Sequence, residues 1–405
     1  MGIILPDDVR YIIERLTEYG YEAYAVGGCV RDSILCRKPG DWDITTSALP
    51  LQVKELFKRT VDTGIRHGTV TVMLGRNGYE VTTYRIDGAY NDSRHPDTVT
   101  YTQSLVEDLK RRDFTINAMA YNEKTGLVDC FDGVGDIERK LIRCVGDPLK
   151  RFGEDALRML RAVRFAAQLG FSIHPDTGDA IRALAPDIAK ISRERIHSEL
   201  GKILLSKHPD YFFMAKELGM TRYFMPVPDD ADYEGTAMRL LNALPGQLPY
   251  RYAAVLHTLS AEDAEKVLKD LKLDNDTIKM CVWLLRYHGI EPSDNPVRIR
   301  QDASCIGPDF FEKVLTYEEA YYRARGDNEA ASAILKEREE YRIIRERGDC
   351  LSIGELKIKG ADLIALGVLP GREMGDMLER CLQAVLCNPE INDKDKLIET
   401  IHIKD

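Results

Sequence analysis

No apolar run in this chain approaches the roughly 18 residues that cross a bilayer, so a membrane-spanning helix is not expected. The opening MGIILPDDVRYIIERL lacks the basic start and small-residue cleavage site of a secretory signal, and the expected location is the cytoplasm. Nine cysteines are scattered without a C-x-x-C pair, which gives no sign of a disulfide framework or a zinc site. The eight histidines form neither H-E-x-x-H nor an adjacent His-Asp pair, and G-x-x-x-x-G-K-[ST] is missing. Zinc proteases, HD phosphohydrolases and P-loop NTPases therefore lose support. Positive charge is also short: the formal net charge is -10, against a surface that coats nucleic acid, because phosphate contacts need Lys and Arg.

What is present is a long chain of ordinary soluble composition, 405 residues with 44% hydrophobic and 30% charged, enough for several domains. Up to about residue 140 strands and helices mix, with strand candidates at 22–26, 42–46, 69–74 and 79–85, each bounded by Gly, Asp or Asn. Beyond 140 the strand signal vanishes, and apolar residues recur with helical period over 156–169, 196–205, 253–271, 278–287, 310–347 and 373–386. Pro and Gly clusters near 225–235, 289–296 and 348–354 mark breaks. The expected architecture is an α+β head at 1–139 followed by all-α segments at 140–205, 206–308 and 309–405.

Asp41-Trp42-Asp43 opens the second strand candidate. Strand side chains alternate, so the two carboxylates face one way. Such a pair suits divalent cations, Mg²⁺ above all, in in-line phosphoryl displacement. Gly27 and Gly28 precede a short helix, where N–H groups favour a phosphate, and Arg31 in its first turn adds charge. GGCVRDSILCRKPGDWDITT, which carries these residues, resembles the signature of the class II tRNA nucleotidyltransferases and bacterial poly(A) polymerases of the polymerase-β-like superfamily, with Cys36 where glycine is usual.

That resemblance makes Glu80 a candidate third carboxylate. LKRRDFTINAMAYN places Arg111 and Arg112 at the start of an apolar helix, against the dipole preference, which hints at an external anion. It is similar to the family motif in which Arg112 and Asp113 would contact the nucleotide's phosphates and ribose hydroxyls. In RFGEDALRMLRAVRFAAQLGF an apolar arc opposes a charged arc of Asp155, Arg158, Arg161 and Arg164. The charged arc is free to face a ligand: Asp155 accepts and Arg158 donates, which suits the Watson–Crick edges of cytosine and adenine. The resemblance, carried by Glu154, Asp155, Arg158 and Arg161, implies protein-templated base selection, with Arg161 and Arg164 reaching toward the triphosphate or the RNA end. Between 139 and 164 eight basic residues stand against three acidic ones, which suggests one focused polyanion site.

Further segments carry the resemblance, which is strong over 21–205 and weak beyond 205. Gly133 and Gly135 would be hinge points between head and neck. ISRERIHSELGKIL would brace the nucleotide helix, and the 85–104 loop, with His95 in place of the usual Arg, argues against an enzyme that adds only CC. Pro370 and Gly371 open a tail helix that could meet an RNA phosphate. The resemblance thus implies addition of C, C and A to the 3′ end of tRNA from CTP and ATP with Mg²⁺. The alternatives are an A-adding enzyme, a poly(A) polymerase, or a non-catalytic RNA-binding protein.

Overall fold

A computed structural model describes residues 2–88 and 99–402. The chain divides into two compact units, Met1–Val227 and Pro228–Asp405. Half of the candidate loop 85–104, including His95, lies outside the described residues.

The first unit opens with α1 (Asp7–Glu18), whose Val9, Ile12, Ile13 and Leu16 form one buried stripe behind an acidic first turn. Strand β1 (Ala23–Val26) is buried throughout and leads into α2 (Gly28–Ile34). There follow β2 (Ile44–Thr46), α3 (Pro50–Leu56), β3 (Thr60–Gly64), β4 (Thr69–Leu74), β5 (Asn77–Thr83), β6 (Arg85–Asp87) and β7 (Val99–Tyr101). Helix α4 (Leu105–Lys110), β8 (Met119–Asn122), β9 (Gly126–Asp129) and α5 (Gly133–Glu138) complete the mixed part. Seven strands form one sheet in the order β3-β4-β5-β2-β1-β8-β9. Only β2 and β5 pair in parallel within it. That pairing sets Ile44 beside Val81 and so brings the chain just ahead of β2 alongside Glu80.

The rest of this unit is helical except for one short ladder. Strand β10 (Leu141–Ile142) precedes α6 (Pro148–Glu154) and α7 (Leu157–Leu169). It pairs in parallel with β11 (Ser172–Ile173), which is followed by α8 (Pro175–Leu184), α9 (Arg193–Leu204) and α10 (Phe212–Glu217). Two-residue strands carry no period, so this ladder could not be read from the sequence.

Two expectations are corrected. The second strand starts at Ile44, not at Asp41, so the two aspartates occupy the segment leading into it. Arg111 and Arg112 do not start a helix. They follow the end of α4, where a cation suits the dipole, and a 3₁₀ turn over Thr115–Asn117 then leads into strand β8. β8 is buried on both faces, so its apolar residues run on without alternation and read as helix.

The second unit is entirely helical among the described residues: α11 (Ala231–Ala243), α12 (Leu248–Val255), α13 (Ala261–Asp270), α14 (Asn275–Arg286), α15 (Pro296–Ile306), α16 (Pro308–Ala324), α17 (Asn328–Arg347), α18 (Gly360–Ala365), α19 (Arg372–Cys387) and α20 (Lys394–His402). The periodic stretch 253–271 is interrupted at Ser260, which caps α13 by accepting from the Asp263 N–H. The stretch 310–347 is a helical hairpin, turned at Gly326 (φ 79°) and restarted by the Asp327 cap on Ala330. Phe311, Val314, Leu315, Ile334 and Ile344 bury its inner faces.

Candidate active site

The segment ahead of β2 is fastened by its backbone: the Asp43 carbonyl accepts from the Val26 N–H at 3.0 Å. Asp41 and Asp43 line a cleft of about 740 Å³ with Gly40, Trp42, Gly78, Tyr79 and Glu80. The surrounding protein pushes the Asp43 carboxyl above the ordinary carboxylate value, Arg112 pulls it back, and Asp41 adds to the rise. Glu80 is raised likewise, by burial first and then by Asp43 and Asp41. A divalent cation relieves this like-charge crowding, so the donors fit one. Among the described residues no three acidic, His or Cys side chains form a closed ligand set. Mg²⁺ needs only one or two carboxylates when substrate phosphates and water supply the remaining oxygens.

Beside the carboxylates, Gly27 adopts φ 81°, and a Cβ there would stand 3.0 Å from Arg112 Nη1. Glycine therefore lets this guanidinium lie against the turn that opens α2. Arg112 contacts Asp108 at 3.5 Å, while its Nε is buried without a hydrogen-bond partner. Burial lowers its pKa, with Asp108 and Asp43 among the groups opposing the drop. Arg31 is 8% exposed and donates from Nη1 to Asn117 Oδ1 at 2.6 Å, with Asp32 holding its other side. Asp113 accepts from Arg161 through Nε at 3.0 Å and Nη2 at 2.6 Å. Burial alone would raise the Asp113 carboxyl, but Arg161 and Asn117 hold it well below the usual carboxylate range.

The charged arc of α7, expected to be free, is engaged throughout. Asp155 lies ahead of α7 in extended backbone, splitting α6 from α7; its Oδ1 accepts from the Leu157 N–H and its Oδ2 from Arg195 Nη2 at 2.8 Å. Arg158 donates to Glu154 at 2.6 Å. Arg164 approaches Glu199 within 2.6 Å, without hydrogen-bond alignment. Burial brings its pKa down to about 10. Arg31, Arg161 and Arg164 gather around the Phe165 ring at 5.2, 5.5 and 3.9 Å.

Thus Asp41, Asp43, Gly28, Arg31, Arg112, Arg161 and Arg164 belong to one connected region, and Asp155 and Arg158 extend it at the start of α7. Sequence reasoning missed three partners in it: Asp108, Arg195 and Glu199. Asp108 precedes Arg111 and Arg112 by three and four positions, the helical ion-pair spacing that could have revealed it. Arg195 and Glu199 come from α9, in the segment expected to brace this helix, although neither was singled out within it. Gly133 and Gly135, expected as hinge points, are close-packing positions in α5: a Cβ on Gly133 would stand 2.5 Å from the Thr115 carbonyl oxygen, and one on Gly135 would strike the Asp132 carboxylate.

With this geometry in place, likeness to known proteins covers most of the chain. A Poly A polymerase head domain matches residues 23–143. A "probable RNA and SrmB-binding site of polymerase A" matches 170–232, and a putative tRNA nucleotidyltransferase domain 2 matches 250–401. The CCA-adding enzyme of Lactiplantibacillus plantarum is 40% identical over 96% of this chain and 94% of its own length. The crystal structure of the Bacillus stearothermophilus CCA-adding enzyme in complex with CTP superposes with a TM-score of 0.78 at 34% identity, covering 98% of both chains. That of the Thermotoga maritima CCA-adding enzyme complexed with tRNA reaches a TM-score of 0.70 at 22% identity, over 99% of this chain and 96% of the other, a likeness of fold. No helix among the described residues is long and apolar enough to cross a membrane.

Proposed function

Because the chain belongs to the CCA-adding enzymes, we propose that it adds C, C and A to the 3′ end of tRNA from CTP and ATP, releasing pyrophosphate, in the cytoplasm. The observation that carries this reading is the open cleft in which Asp41 and Asp43 crowd their charges beside Arg112. Mg²⁺ held by Asp41 and Asp43 would polarise the attacking 3′-hydroxyl and offset the charge of the triphosphate.

The chain's own residues bind and orient. Arg112, whose Nε lacks a protein partner, and Arg31 offer donors to phosphate oxygens near the Gly28 turn. Asp113, ionised by its pairing with Arg161, accepts from a ribose hydroxyl by exchanging one of the four hydrogen bonds that its oxygens already take. Asp155 and Arg158 select the base. A carboxylate has about four lone-pair sites, and the two bonds to Leu157 and Arg195 leave Asp155 able to accept from the exocyclic amine of cytosine or adenine. Arg158 donates to the adjacent ring nitrogen, so uracil and guanine meet mismatched donors and acceptors. Arg161 and Arg164 hold the polyanion side of α7. In this reading 1–139 is the head, 140–205 the nucleotide-selecting neck, 206–308 the body and 309–405 the tail that meets tRNA.

The test uses tRNA transcripts ending before CCA, after C or after CC, with Mg²⁺ and each labelled nucleotide alone or combined. Stepwise C, C, A incorporation, abolished in Asp41→Ala and Asp43→Ala, is expected. Incorporation of A alone, and only on the CC-ended transcript, would replace the proposal with A addition.

A further inference from the structure

We propose that Asn117 is a positioning residue that couples the phosphate-binding and ribose-reading sides of the site, so that ribonucleotide selection depends on its side-chain amide. The inference rests on the roles proposed above for Arg31 and Asp113.

Asn117 ends the 3₁₀ turn Thr115–Asn117 and is 6% exposed. Its Oδ1 accepts from Arg31 Nη1 at 2.6 Å, and its Nδ2 donates to Asp113 Oδ1 at 3.2 Å. The Asp113 backbone and side chain are tied further, Oδ1 taking the Phe114 N–H at 2.9 Å and Oδ2 taking Arg161. One continuous line of side-chain hydrogen bonds therefore runs from Asp32 through Arg31, Asn117 and Asp113 to Arg161, joining α2 to α7. At its centre the line needs a group that accepts from a cation on one side and donates to an anion on the other. A primary amide does both at once, and its orientation is fixed by the two opposite charges. Aspartate in its place would still accept from Arg31 but would set a second carboxylate against Asp113. Alanine would leave Arg31 and Asp113 each without one partner in a nearly water-free setting, where networks polarise along their length.

Asn117 is buried and both its polar atoms are engaged, so its influence passes through Asp113 and Arg31. Losing the Nδ2 bond releases one anchor of the carboxylate that reads the ribose. Substrate recognition should then change more than overall transfer.

The experiment measures kcat/KM for CTP and dCTP on a tRNA transcript lacking CCA, for wild type, Asp113→Ala, Asn117→Ala and Asn117→Asp, across a pH series. Asn117→Ala should lower the CTP-to-dCTP ratio by about tenfold, the scale of one hydrogen bond to a charged group. Asn117→Asp, nearly isosteric, should be impaired at neutral pH and recover relative to wild type as the pH falls, because a proton shared with Asp113 restores the missing donor. The charged groups facing that proton are Arg31 from α2, Arg112 after α4, and Arg158, Arg161 and Arg164 from α7. A ratio that moves in Asp113→Ala but not in Asn117→Ala overturns this inference alone, as does a pH profile of Asn117→Asp parallel to wild type. A ratio unmoved by Asp113→Ala overturns the ribose reading and this inference with it.

Discussion

Cys36 shows how a single departure from a motif has a physical address. It stands where the resembling family usually has glycine, and its φ is 54°, in the left-handed region. The local bonds explain why: the Cys36 N–H reaches the Ser33 carbonyl at 3.1 Å and the Arg37 N–H reaches that of Asp32 at 2.8 Å, the paired closure that ends α2. An L-residue with a Cβ pays about 1–2 kcal/mol in this conformation, and glycine does not. The side chain is exposed, so no packing compensates for the strain. Cys36→Gly should therefore stabilise the first unit by roughly 1 kcal/mol, read as a higher urea midpoint at unchanged slope. An unchanged or lower midpoint would mean that the turn tolerates cysteine without cost. The same residue illustrates what was legible. Asp41, Asp43 and Arg31 could be picked out from their types and spacing, and Arg112 from the resemblance of its motif. The backbone angle at Cys36 could only be suspected.

At the scale of elements, the excess of positive charge between 139 and 164 shrinks once the chain folds. Arg139 and Arg143 meet Asp136, Arg151 and Arg158 share Glu154, Arg161 meets Asp113, and Arg164 meets Glu199. Asp113 and Glu199 lie far along the chain from α7, so counting charges within the segment overstated its excess. The long helices were legible because a buried stripe repeats with a fixed period, as in α9 and α14. Their divisions were not, since the ends of α6 and α16 depend on single residues, Asp155 and Gly326, whose backbone angles leave no periodic trace. Strands β3, β8 and β9 escaped because they are short and either edge-exposed or buried on both faces. The contact between α7 and α9 offers a direct test. The Arg164 and Glu199 side chains are 11% and 5% exposed, and removing one partner strands the other charge. Glu199→Ala should cost roughly 3 kcal/mol of stability, whereas Glu199→Gln, which keeps an acceptor, should cost less. Chemical denaturation of the two variants separates these outcomes. Equal, small losses would reduce the pair to a surface contact.

For the whole molecule, two compact units imply two unfolding events that respond to different groups. The second unit holds a buried acid that the proposed chemistry does not use. Glu337 on α17 is fully buried; its Oε2 accepts from the Ser293 N–H at 3.2 Å, while Oε1 has no hydrogen-bond partner. Burial pushes its pKa from 4.5 up to about 7, with the Ser293 N–H and Arg298 opposing and Asp302 adding to the rise. Asp302 is itself raised by burial, against the pull of Arg298. A folded pKa above the unfolded one means that the native state holds its proton longer. The contribution of Glu337 to stability is thus complete below about pH 4.5 and is lost as the pH rises through about 7. At 1.36 kcal/mol per unit the full loss is up to about 3 kcal/mol. His257 in the same unit has the opposite sign, since burial lowers its pKa and favours the native state as the pH rises. Only the difference between variants therefore isolates the glutamate. Calorimetry between pH 4.5 and 8 should show the transition of the second unit falling further with pH in wild type than in Glu337→Gln, which cannot ionise and keeps the acceptor for Ser293. The transition of the first unit should be the same in both. Parallel pH curves for the second unit would mean that Glu337 does not titrate there, and that the solvent reaches its unpartnered oxygen.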